Sequence, residues 1–214
     1  MQFRRAAASI LLFGTMTGTI AAAQASVTLG LTAGVAFSKF GGQDAAEADF
    51  DKTRTGFAFG GIASLDITRH VALESGLLYA QKGSKIDDGV NKGTFKLDYL
   101  QVPLLLKLRL PVKGGGLSIS PHLYGGASLG FEAGCEITGL GGEAAVARPC
   151  EEVQAAVKST DFGLVFGAGL DIGRAIIDVR YDFGLSTVDD TTDPDDTKNR
   201  TLYVLVGWAF RSPR

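Results

Sequence analysis

The sequence predicts an all-β chain, an eight-stranded antiparallel up-and-down transmembrane β-barrel. Three observations carry this. Apolar residues recur at every second position through eight segments, the connections between segments alternate short and long, and the first 25 residues have the layout of an export signal. Composition agrees: 29 glycines, 6 prolines and 21% charged residues in 214 suit a β-rich chain with many tight turns. They exclude a coiled coil and a disordered tail. A formal charge of −2 without any Lys/Arg cluster excludes nucleic acid as a partner.

The export signal is read from charge and hydropathy. Arg4 and Arg5 precede an apolar stretch from Ala6 to Ile20, and Ala23-Gln24-Ala25 offers an A-x-A site before Ser26. Cleavage is expected between Ala25 and Ser26, giving a signal peptide at 1–25 and a barrel domain at 26–214. A membrane-anchoring helix is the alternative, but the stretch is short and broken by Gly14, Thr15, Thr17, Gly18 and Thr19. Beyond Ser26 no apolar run is long enough for a spanning helix. Export also gives the cysteines a meaning. Cys135 and Cys150 are the only two, so an oxidising compartment favours one disulfide between them, worth roughly 3 kcal/mol in the chain-entropy model.

The alternation runs through residues 26–38, 57–67, 71–79, 99–110, 117–131, 162–171, 177–185 and 201–210. The fourth segment, YLQVPLLLKLRL, shows how it works. Leu100, Val102, Leu104, Leu106, Leu108 and Leu110 share one face, and Tyr99, Gln101, Pro103, Leu105, Lys107 and Arg109 share the other. A soluble core strand or a membrane helix rejects two such cations, whereas a strand between lipid and lumen accepts both faces. Pro103 lacks an N–H, and a closed barrel has no edge for it, so a bulge or a missing ladder bond is expected there. The segments are about 10 to 14 residues long, against about 9–11 for a tilted spanning strand.

Short connections are expected at Thr68-Arg69-His70, at PVKGGG (111–116) and at Gly173-Arg174, with long ones at 40–53, 83–93, 132–158 and 187–199. That alternation is the pattern of a Gram-negative outer-membrane barrel, with short periplasmic turns and longer outside loops. An even strand number then puts both termini in the periplasm. A soluble barrel of the lipocalin type would put bulk inside and charge outside, the reverse of what alternates here.

The small and polar face carries Asp66, Glu74, Lys107, Arg109, Asp171, Asp178, Arg180 and Asp182, most of them near the short turns. An eight-stranded barrel is just wide enough for side chains to fill. These residues are expected to interlock as an ion-pair network closing the lumen on its periplasmic half, with Arg109 and Arg180 as bidentate partners. A gated ion path is the competing reading.

Catalysis has one candidate pattern. His122 shares the inward face with Ser118 and Ser120, the pairing of a serine hydrolase, and Asp178 or Glu74 would orient the imidazole. These residues fall near the periplasmic end, away from a lipid-accessible pocket, so no catalytic residue is assigned and no enzyme is expected. The outer loops are acidic, with Asp44, Glu47, Asp49 and Asp51 in one and DDTTDPDD at 189–196 in another. They lack the glycine and distal glutamate of an EF-hand, so a solvated surface is expected and no metal or cofactor site is assigned. The disulfide-tied loop 132–158 is the expected place for a surface ligand.

Several stretches resemble the bacterial outer-membrane β-barrel domain family often labelled "porin family protein". They are YLQVPLLLK (99–107), DFGLVFGAGLDI (161–172), DVRYDFGLS (178–186) and GGASLG (125–130). The resemblance implies a small outer-membrane barrel, in contact with outer-membrane lipid and lipopolysaccharide; a monomer is expected, since the sequence gives no reason for an oligomer. It also implies folding by the barrel-assembly machinery, and it brings no catalytic residues. Such barrels commonly end on an aromatic residue, whereas Phe210 here is followed by Arg211-Ser212-Pro213-Arg214. The expected function is structural or surface-interacting, through the outer loops; a narrow channel for small solutes or ions is the alternative, and an outer-membrane hydrolase the third.

Overall fold

The computed structural model describes residues 26–42, 52–87, 92–110, 112, 118–139, 147–150, 152, 158–188 and 197–210, with the backbone alone for 86, 87 and 92. The signal peptide with its cleavage point after Ala25, the acidic stretches at 43–51 and 189–196, and residues 211–214 lie outside them.

Nine strands form. They are β1 (Ser26–Gly41), β2 (Lys52–Asp66), β3 (Val71–Asp87), β4 (Lys92–Arg109), β5 (Ile119–Thr138), β6 (Ala147–Pro149), β7 (Thr160–Ile172), β8 (Ala175–Thr187) and β9 (Lys198–Ala209). Each of the eight long strands pairs antiparallel with its neighbour, and β1 pairs with β9, so the sheet closes into an eight-stranded barrel. Closure matters because an open edge in lipid would leave a row of N–H and C=O groups without partners. The short β6 stands outside the barrel wall, paired to Glu136–Thr138 of β5.

Period two decides the two faces. On β9, Leu202, Val204, Val206 and Trp208 are exposed, while Asn199, Thr201, Tyr203 and Leu205 are buried. On β4, Leu100, Val102, Leu104, Leu106 and Leu108 line the outer wall. In water this band of exposed apolar side chains would be strongly unfavourable; in hydrocarbon it is the stable surface. Phe57, Phe59 and Tyr79 form an aromatic cluster on that wall, with ring centroids 5.2–6.1 Å apart.

The barrel has a turn end and a loop end. At the turn end, Thr68 Oγ1 accepts hydrogen bonds from the His70 and Val71 amides, and Gly173 takes a φ of 62° in the two-residue turn from β7 to β8. At the loop end the strands run further than alternation alone predicts. β3 continues to Asp87 and β4 begins at Lys92, so most of the expected loop 83–93 is ladder. β5 likewise extends to Thr138.

Pro103 shows itself as a gap. The β3–β4 ladder is in one register on both sides but lacks pairs between Ser75–Leu104 and Leu78–Gln101. The β4–β5 ladder runs through Pro103–Ser128 without a break. The proline therefore turns its donor-less nitrogen toward β3. Ser75 Oγ recovers one bond there, donating to the Pro103 carbonyl at 2.8 Å.

Candidate functional site: two ion clusters inside the barrel

Large and small residues face each other across the lumen wall. Tyr124 of β5 is opposite Gly167 of β7, and His122 is opposite Gly169. A Cβ on Gly167 would come within 2.2 Å of the Tyr124 ring, and one on Gly169 within 2.6 Å of His122 Nε2. The glycines of DFGLVFGAGLDI thus leave the room that bulky β5 side chains occupy, a taper narrow barrels need.

All eight charged residues singled out above point inward. Seven meet in a cluster near the turn end. Arg109 pairs with Asp66 through Nη1, donates from Nη2 to Ser64 Oγ at 2.9 Å, and has its Nε 3.8 Å from Asp171. Lys107 Nζ is 2.5 Å from Glu74, with both side chains about 3% exposed. Arg180 donates from Nε to Tyr124 Oη at 3.2 Å and has Nη2 3.9 Å from Glu74. Tyr124 in turn donates to Asp178 at 2.6 Å. Its ring lies between two cations, 5.7 Å from Lys107 Nζ and 5.4 Å from Arg180 Cζ. Neither arginine makes the bidentate fork expected of it. Each spreads its N–H groups over several partners because neighbouring strands offer hydroxyls as well as carboxylates.

His122 is fully buried in the same cluster. Its Nδ1 is 3.4 Å from Asp171 and its Nε2 is 3.9 Å from Asp178. Both nitrogens face carboxylates, so the hydrogen bond to serine that a hydrolase requires is not among its contacts. Asp171, more than Glu74, shares the imidazole with Asp178.

Asp182 departs from the expected grouping. It lies toward the loop end and joins a second cluster around Lys82, which is 1% exposed. Lys82 Nζ bridges Asp182 at 2.9 Å and Asp161 at 3.2 Å. Gln101 donates to Asp182 at 2.6 Å and accepts from Tyr203 Oη at 2.9 Å, and Asn199 donates to Asp161 at 3.0 Å. Higher still, buried Arg54 donates to the Lys82 carbonyl at 2.5 Å. Lys82, Asp161 and Arg54 escaped the sequence reading. The inward-facing register continues to all three, with Lys82 on the even-numbered face of Leu78 and Ala80, but the outer-face residues beside them are no longer regularly apolar.

Apolar groups separate the clusters. Ala36, Ala58, Leu78, Ala80, Tyr203 and Leu205 form one buried group, and Leu105, Tyr124 and Val165 another. Between Arg180 and Asp182, beside Leu78, Gln101 and Val165, there is no room for a water-sized sphere. Next to Arg109 and Asp171 a cavity of about 20 Å³ remains, enough for a single water.

At the loop end Cys135 and Cys150 form a disulfide with their Cα atoms 5.4 Å apart. It ties the β6 hairpin to β5, helped by the Cys150 amide donating to the Cys135 carbonyl at 3.2 Å.

Similar architecture occurs among solved structures. Neisserial surface protein A (NspA) has 15% identity and a TM-score of 0.49 over 86% of this chain and 99% of its own. OprG from Pseudomonas aeruginosa has 14% identity and a TM-score of 0.46 over 88% and 98%. Ail, the attachment invasion locus protein of Yersinia pestis, has 16% identity and a TM-score of 0.44 over 86% and 99%. No curated protein matches the sequence. Residues 22–190, from before β1 to just past β8, match the outer membrane protein beta-barrel domain, and the chain belongs to that family.

Proposed function

We propose that this outer-membrane barrel is a non-conducting, non-enzymatic scaffold whose lumen is closed by its two ion clusters and whose interactions are made by the loop end. The turn end then faces the periplasm, with both termini, and the disulfide-tied hairpin faces outward. The observation that carries this is the joint filling of the lumen. Charged side chains from β2, β3, β4, β7 and β8 reach one another across it, and apolar groups fill the gap between the clusters. An ion crossing it would have to part buried pairs without water to replace them, which is costly.

The absence of a catalytic role rests on His122, whose nitrogens both face carboxylates. Planar-bilayer recording on the folded protein tests the closure. No steady conductance of nanosiemens size is expected, and such a channel in the wild type would establish the porin-like alternative instead.

A further inference from the structure

Lys39 of β1 and Arg200 of β9 stand directly opposite each other in the ladder, where like charges repel. Both lie on the outer face, because Ser38, Phe40, Asn199 and Thr201 on either side are buried. The row below them, toward the turn end, is apolar: Phe37 is opposite Leu202, and Leu202 is opposite Tyr181. The two cations therefore mark the loop-end border of the apolar band. Among the described residues neither forms an ion pair.

Arg200 is nonetheless held in place. Its Cζ lies 4.6 Å from the ring centroid of Phe183, its partner on β8. On the other side it lies over Gly41, where a Cβ would come within 2.2 Å of its Nε. That Nε is buried without a hydrogen-bond partner. Nearby, Lys158 Nζ is fixed to Thr187 Oγ1 at 2.6 Å, and Thr187 is opposite Lys198 in the ladder. A stacked guanidinium, seated by a glycine and set against a lysine, is a locus of positive charge that no carboxylate among the described residues pairs with.

We propose that Lys39 and Arg200 seat the phosphate of a membrane lipid headgroup, with the lipid's chains lying down the apolar wall beneath. Position favours a lipid over a soluble anion. The patch faces away from the lumen and borders the hydrocarbon-facing band, where a headgroup phosphate and its chains meet protein at once. Chemistry favours phosphate, since the guanidinium fork matches its oxygens and the lysine adds a point charge.

The test uses the full folded barrel in detergent, with lipid A and dephosphorylated lipid A as probes, read by native mass spectrometry. Wild type should retain lipid A and lose most of that binding when the phosphates are removed. K39A/R200A should bind lipid A roughly tenfold more weakly or worse. K39R should bind as wild type does. G41A removes no charge but fills the seat of Arg200, so it should weaken binding too; it also replaces the double variant as the deciding measurement if that variant shows no heat-modifiable folded band. Undiminished lipid A binding in the deciding variant overturns the proposal. So does wild-type binding indifferent to phosphate, or equal competition by inorganic phosphate, which would make the patch a soluble-anion site.

Discussion

The two ion clusters inside the barrel solve the same problem with different redundancy. Near the turn end, three cations from two strands share four carboxylates, and Glu74 is approached by both Lys107 and Arg180. Tyr124 and His122 knit the rest together. Toward the loop end, Lys82 alone bridges Asp161 and Asp182, helped by the neutral amides of Gln101 and Asn199. A buried ion pair contributes little net stability when intact, but an orphaned buried charge is costly. The turn-end cluster can lose one member and rearrange, whereas the Lys82 cluster has a single point of failure.

That contrast sets the largest expected effect. Lys82→Met leaves two buried carboxylates without their cation and should cost about 3–5 kcal/mol, read from urea unfolding in lipid vesicles. Asp161→Asn with Asp182→Asn should recover most of it. Lys107→Met should cost less, about 1–3 kcal/mol, because Arg180 remains near Glu74. Equal losses for the two lysines would remove the distinction between the clusters.

A steric prediction follows in size. Gly167→Ala places a methyl group on the Tyr124 ring and should destabilise by about 1–3 kcal/mol, with Tyr124→Leu relieving it. If Gly167→Ala is neutral, Tyr124 has room to move and the turn-end cluster is looser than its contacts imply. The smallest effect on the barrel should come from reducing Cys135–Cys150. The bridge lies at the loop end beside β6, so reduction should speed amide exchange in Glu136–Thr138 while leaving the heat-modifiable gel shift of the barrel in place.

The turn-end cluster was legible in the sequence because its residues lie within strongly alternating segments next to short turns. Lys107 and Arg109 sit among leucines, and Asp178 and Arg180 alternate with Ile177, Val179 and Tyr181. The loop-end cluster was less legible for a matching reason. Above the membrane band the outer face no longer needs to be apolar, and the alternation fades just where Lys82, Asp161 and Arg54 occur. Lys82 is followed by Gly83-Ser84-Lys85, which reads as the start of a loop. Only the ladder of β3 with β4, continuing to Asp87 and Lys92, shows it to be strand. Pro103 was anticipated as a missing bond or a bulge, and the side on which the bond is missing came from the register alone.

By itself the sequence determined the class of fold, the eight spanning segments, which side chains face lipid and which face the lumen, and the cysteine pair. Period two and the cost of unpaired backbone groups in lipid are local and general, so they leave few alternatives. Tertiary structure decided who meets whom inside. Partners such as Lys82 and Asp182, or Tyr124 and Asp178, are far apart in sequence, and their meeting depends on how the eight strands are staggered as the sheet closes. The same stagger sets Lys39 against Arg200 on the outer wall, a juxtaposition no single segment contains.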